Sequence, residues 1–155
     1  MRVQIVAVGK LKEKFYADAV AEYVKRTSRF VPITVSEVSD YRVKESDKSA
    51  ARIAMEHEAD AIFPMLAGRI VVLDIGGKTL SSPQLASYLK ESFESHGTVT
   101  FVIGGSYGLS DRVKSAAHLR LSFGPATFPH QLARVMLCEQ IYRAETILNN
   151  LPYHK

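Results

Sequence analysis

The chain has 155 residues, with 20 Lys+Arg against 16 Asp+Glu for a formal charge of +4, and 46% hydrophobic against 23% charged residues. That balance excludes a disordered chain, and the length suits one domain, residues 1–155, able to bury its own core. A lone cysteine excludes an internal disulfide, no apolar run approaches the ~20 residues of a membrane span, and charge interrupts MRVQIVAVGK too early for a signal peptide, so a cytoplasmic protein without membrane contact is expected.

Val3 to Val8 reads as a buried strand closed by Gly9. From about Glu13 to Arg29, Phe15, Ala19, Val20, Tyr23 and Val24 share one helical face. Ile33 to Val38 is β-branched and half alternating, a second strand nearer an edge. The polar stretch Ser39 to Lys48 reads as a loop, and a helix is expected from about Ser46 or Asp47, carrying Ile53, Ala59, Ile62 and Phe63 until Pro64 ends or bends it. Arg69 to Asp74 is a continuous apolar strand, with a turn expected over Ile75-Gly76-Gly77-Lys78. Ser81 and Pro83 open a helix running toward His96-Gly97. Thr98 to Ile103 is the next strand, Ser110 caps a short helix through Ala117, and Leu119 to Phe123 is the last strand. A stiff loop, Gly124 to Pro129, leads into a long helix over about His130 to Asn149. Strands and helices alternate, which implies an α/β protein: a mostly parallel sheet covered by helices on both faces.

Ligands of such sheets bind beyond the carboxyl ends of the strands. That rule selects the loops after Leu73, at Gly104–Gly108 and at Phe123–Phe128. Gly77-Lys78-Thr79 imitates the end of a phosphate loop, but Val72 stands where the first glycine is needed. Gly104-Gly105-Ser106-Tyr107-Gly108 matches the nucleophile elbow of serine hydrolases, yet only Asp111, Glu139, Glu145 and His154 follow as partners, in an awkward order. A small serine hydrolase using Ser106 therefore stands as one alternative, and a non-catalytic RNA- or ribosome-binding module, suggested by the mild basic excess, as another. No metal-binding pattern occurs among the five histidines and one cysteine, so no metal is expected.

The final third carries the densest signal. The helix after Phe128-Pro129-His130-Gln131 has apolar residues on more than one face, which fits deep burial or a second chain. Glu139 and Arg143 are spaced for an intrahelical ion pair. The aromatic and imidazole-rich end, Leu151-Pro152-Tyr153-His154-Lys155, suggests a docked tail.

FVIGGSYGLS (101–110), LSFGPATFPHQLARVMLCEQIYRA (121–144) and PYHK (152–155), with VAVGKLKEKFY and LDIGGKTLSS before them, closely resemble the RlmH family of SPOUT-class RNA methyltransferases. The resemblance implies a trefoil knot within about 70–155, a homodimer, and S-adenosylmethionine held at Leu73, Gly104, Phe123, Gly124, Pro125, Ala126, Thr127 and Phe128. Many relatives carry Ser-Lys-Met where this chain has Gly124-Pro125-Ala126, so backbone contacts are expected there. The implied reaction is methylation of N3 of a pseudouridine in large-subunit ribosomal RNA, within an assembled ribosome. Loss of the N3 proton calls for a base, for which His154 is the first candidate and Glu139 the second, with His130 structural. Arg134, Arg143 and Lys155, helped by the Lys10–Lys14 segment, are expected to hold RNA phosphates, and Tyr153 to stack on a base.

Overall fold

The structure is a computed structural model that describes residues 1–43 and 48–155. Its strands are β1 (Arg2–Val8), β2 (Ile33–Val38), β3 (Arg69–Thr79), β4 (Thr98–Ile103) and β5 (Leu119–Ser122). Its helices are α1 (Lys14–Thr27), α2 (Lys48–Ile62), α3 (Ser82–His96), α4 (Asp111–Ala116) and α5 (His130–Leu148). The strands form one sheet in the order β2-β1-β4-β3-β5, and every pair of neighbours is parallel. Parallel neighbours need long crossovers rather than hairpins, so the helices fall on the sheet faces.

Side-chain alternation divides the interior in two. Val3, Ile5, Ala7, Val99, Phe101 and Val71 point to a core completed by Leu85 and Leu89 of α3 and by Leu137 and Ile141 of α5. Val6, Val8, Val72 and Val102 point the other way, onto Ala59 and Ile62 of α2 and Val113 of α4. Helix starts follow their local chemistry. Ser81 and Gln84 form a reciprocal capping box before α3, and Gly97 ends that helix at a φ of 70°. Ser110 caps α4 by accepting from the Val113 amide.

Three features depart from the sequence reading. The expected turn at Ile75–Lys78 belongs to β3, which breaks register after Leu73 and resumes with Lys78 and Thr79 beside Leu121 and Ser122. Gly77 makes that crossing feasible, because a Cβ there would sit 2.4 Å from the Arg120 carbonyl oxygen. Phe15 is 65% exposed rather than on the packed face of α1. Phe63, expected within α2, lies with Pro64 in a 3₁₀ turn, Phe63–Met65, so Pro64 ends the helix as expected, whereas the start expected for α2 at Ser46 or Asp47 lies outside the described residues.

Candidate active site

The carboxyl ends of β4 and β5 and the part of β3 at its register break after Leu73 open on one cavity of about 400 Å³, within the ~300–1,000 Å³ usual for small-molecule sites. Its walls are the three selected loops. Leu73, Gly104, Phe123, Gly124, Ala126, Thr127 and Phe128 line it, while Pro125 is exposed and does not. Gly104 has no room for a side chain: a Cβ would lie 2.6 Å from the carbonyl carbon of Gly108. The 104–108 loop therefore folds back on itself, pinned by a Gly105–Gly108 bridge, and presents bare backbone to the cavity. Gly124, at a φ of 109°, opens the third loop in a conformation that favours glycine. Ser122 fastens that loop, its hydroxyl donating to the Ile75 carbonyl at 3.0 Å and accepting from the Gly124 amide at 3.1 Å.

Sequence reasoning missed the charged wall of this cavity. Asp74, its side chain only 6% exposed, accepts from Arg120 Nε at 2.7 Å and from the Gly76 amide at 3.2 Å, with Lys114 Nζ at 3.7 Å. Burial pushes the Asp74 carboxyl upward, but Arg120, the Gly76 amide and Lys114 together hold it below the ordinary aspartate range. The one available signal was a carboxylate closing an otherwise apolar strand. His130 also lines the cavity, and burial beside Arg134 lowers its imidazole pKa, favouring the neutral ring.

A second constellation lies on α5 and the tail. Glu139 Oε1 accepts from Arg143 Nη2 at 2.6 Å, from Arg143 Nε at 3.0 Å and from the Tyr153 hydroxyl at 3.1 Å. Its Oε2 accepts from Gln140 Nε2 at 2.8 Å. The Tyr153 ring lies under the Arg143 guanidinium at 4.7 Å and meets Tyr142 edge-on at 4.8 Å. His154 is exposed, with Nδ1 3.4 Å from Arg143 Nη1, and Lys155 is exposed beyond it. The tail is thus docked. Glu139 faces a neighbouring cavity whose Leu121, Ser122 and Phe123 are shared with the first one.

One expected RNA contact needs correction. Arg134 is 1% exposed; it donates to Glu37 Oε2 and to the Gly9 carbonyl, both at 2.9 Å, so it ties α5 to the sheet and faces no phosphate. Tyr153 is half-buried, with its ring against Arg143 and Tyr142 of its own chain. Ser106 lines the same cavity, but among the described residues no histidine is hydrogen-bonded to it, as the base of a hydrolase elbow would be. No group of three potential metal ligands occurs among the described residues, nor any helix long and apolar enough to cross a membrane.

Comparison with known proteins decides the family. The model described as "Predicted SPOUT methyltransferase" matches residues 1–154. The chain belongs to the SPOUT methyltransferase family. Curated proteins of Streptococcus pneumoniae strains, named "Ribosomal RNA large subunit methyltransferase H", are 46% identical over 159 aligned positions covering all of both chains. Among solved structures, a probable methyltransferase from Bordetella pertussis superposes with a TM-score of 0.56 at 14% identity, covering 93% of this chain and 96% of its own. A putative methyltransferase from Legionella pneumophila, solved with its cofactor SAM, gives a TM-score of 0.53 at 12% identity, covering 93% of this chain and 66% of its own. At such identities these two structures establish a shared fold alone.

Proposed function

We propose that the protein is a cytoplasmic, homodimeric RNA methyltransferase that uses S-adenosylmethionine to methylate N3 of a pseudouridine in large-subunit ribosomal RNA, within an assembled ribosome. The observation that carries the reading is the cavity of bare backbone at the ends of β4 and β5 and the register break of β3, in a chain 46% identical to named large-subunit rRNA methyltransferases. The residues suit the donor. Its adenosine and methionine portions need exposed amides and carbonyls, which Gly104, Gly105, Gly124 and Ala126 supply, and apolar cover, which Leu73, Phe123 and Phe128 supply. Pro125, though outside the lining, fixes the course of the third loop. When bound, S-adenosylmethionine supplies a methyl group already made electrophilic by the sulfonium charge.

The chain's own task is to align that methyl with a nitrogen freed of its proton. His154 is proposed to accept the N3 proton on its imidazole. Glu139 is the second candidate, but its oxygens are already taken up by Arg143, Tyr153 and Gln140, which favours a role in holding the tail. Arg143 and Lys155 then lie beside the proton acceptor, where they can hold phosphates. The trefoil threading belongs to this reading too, and the register break of β3 between Leu73 and Lys78 beside Leu121 is consistent with it.

The test is direct. Incubation with labelled S-adenosylmethionine and ribosomes lacking the methyl mark should place label on one pseudouridine of the large-subunit RNA. Absence of label from that RNA overturns the reading.

A further inference from the structure

A second opening adjoins the donor cavity. It encloses about 450 Å³ between the β1–α1 connection, the end of β2 and the start of α5, and it shares Ser106 and His130 with the donor cavity. Lys10, Lys12 and Arg42 line it from two separate stretches of chain. Among the described residues none of these three cations has an ion-pair or hydrogen-bond partner. The two carboxylates of the opening, Glu37 and Asp40, are placed differently. Glu37 is committed to Arg134 at 2.9 Å, and Asp40 lies beside the buried Glu58. Three cations therefore face two carboxylates, of which one is already neutralised by an arginine.

We propose that this cleft holds the RNA backbone next to the target nucleotide, with Lys10, Lys12 and Arg42 as its phosphate ligands. The inference rests on the reading of the protein as an RNA methyltransferase and adds the place where the strand approaches. The geometry supports it in three ways. Cations left unpaired at one concave surface are a site for a polyanion rather than a surface ion-pair network. The lysines act as mobile point charges while Arg42 offers a planar fork, a combination that suits phosphates at unequal distances. The wall shared through Ser106 and His130 puts a strand in this cleft directly beside the donor cavity. Such contacts fix position without reading sequence.

The experiment compares full-length wild type with the triple variant Lys10→Gln, Lys12→Gln, Arg42→Gln and with Lys90→Gln, an exposed lysine of α3 outside the cleft. Binding to ribosomes lacking the methyl mark is followed against salt, and donor binding by calorimetry. Loss of three phosphate contacts should weaken RNA binding roughly tenfold or more near physiological salt and flatten the log–log salt slope by about 2. Donor affinity should stay at the wild-type value in the triple variant, which also shows that it has folded. Lys90→Gln should behave as wild type throughout. An unchanged RNA affinity and salt slope in the triple variant overturns the cleft, even while wild-type methyl transfer upholds the enzymatic reading. A flattened slope with no methyl transfer by wild type supports the cleft and overturns the enzyme.

Discussion

Arg134, almost wholly buried, reaches from α5 to Glu37 at the end of β2 and bonds its carboxylate at 2.9 Å, while its second terminal nitrogen holds the Gly9 carbonyl at the same distance. One side chain thus closes the last helix onto the first two strands. The side chain of Glu37 keeps 38% of its surface in water, so deleting the arginine would not strand a buried charge. Arg134→Ala should therefore cost about 2–4 kcal/mol, mainly from a vacated core volume and a lost charge-assisted bond. Urea unfolding reads this, and a loss below about 1 kcal/mol would show that the tie is incidental.

Gly104 offers a sharper test of the donor cavity. Its φ needs no glycine, but the Gly108 backbone leaves no space for a side chain. Gly104→Val should force the 104–108 loop outward and weaken donor binding at least tenfold, about 1.4 kcal/mol or more. Calorimetry with S-adenosylmethionine checks it, with far-UV dichroism confirming the fold. Wild-type affinity would remove this loop from the site.

The docked tail separates binding from turnover. Removing residues 153–155 takes away the Tyr153 bond to Glu139 and the imidazole of His154 but no part of the donor cavity. Turnover should fall by about a hundredfold or more, the usual worth of a positioned base, while donor affinity changes little. Tyr153→Phe, which loses only the hydroxyl bond, should cost activity much less. Equal turnover in the truncated protein would exclude His154 as the base.

These tests expose what the residues announced and what they hid. Strands β2 and β4 were legible to the residue because β-branched and apolar runs were bounded by proline, glycine or a polar stretch at each end. The hydroxyl cap at Ser81 and the docked tail were equally legible, since each is local chemistry. The continuation of β3 through Gly76 and Gly77 was not: a glycine pair reads as a turn unless one knows that Arg120 of another strand presses against it. Arg134 was hidden for a similar reason. An arginine on a helix looks solvated until Glu37 and Gly9, distant in the chain, close over it. The loops of the cavity followed from a rule about sheets, whereas the Asp74–Arg120–Lys114 cluster depended on contacts made across β3, β5 and α4.

Stability should also respond to pH through α5. Glu145 is 4% exposed, and burial pushes its carboxyl up to about 7. Because the folded value lies above the unfolded one, the folded state binds the proton more tightly, and stability falls as pH rises from about 4.5 to about 7. The full shift corresponds to roughly 3 kcal/mol. Glu58, also pushed up to about 7 by burial, acts in the same direction. Glu145→Gln should flatten the slope of unfolding free energy over that window and leave the variant more stable than wild type above about pH 7.5. An unaltered slope would assign the effect elsewhere.

Cys138 gives a simple probe of opening. It is fully buried, and burial pushes its thiol up to about 12. In the folded protein it should resist alkylation at neutral pH, since the thiolate is the reactive species. Labelling should occur only as fast as α5 detaches, so rapid modification of native protein would show that this helix is loosely held.

The pairing of β5 with the far edge of β3 has a consequence for biosynthesis. A nascent chain halted before Leu121 has the Leu73 and Gly104 loops but neither the Phe123–Phe128 wall nor the strand that covers β3. It would leave a long apolar border open to other polypeptides. Incomplete products are therefore both unable to retain the nucleoside and prone to clump, so ribosomal stalling late in the message should yield insoluble fragments rather than partially active ones.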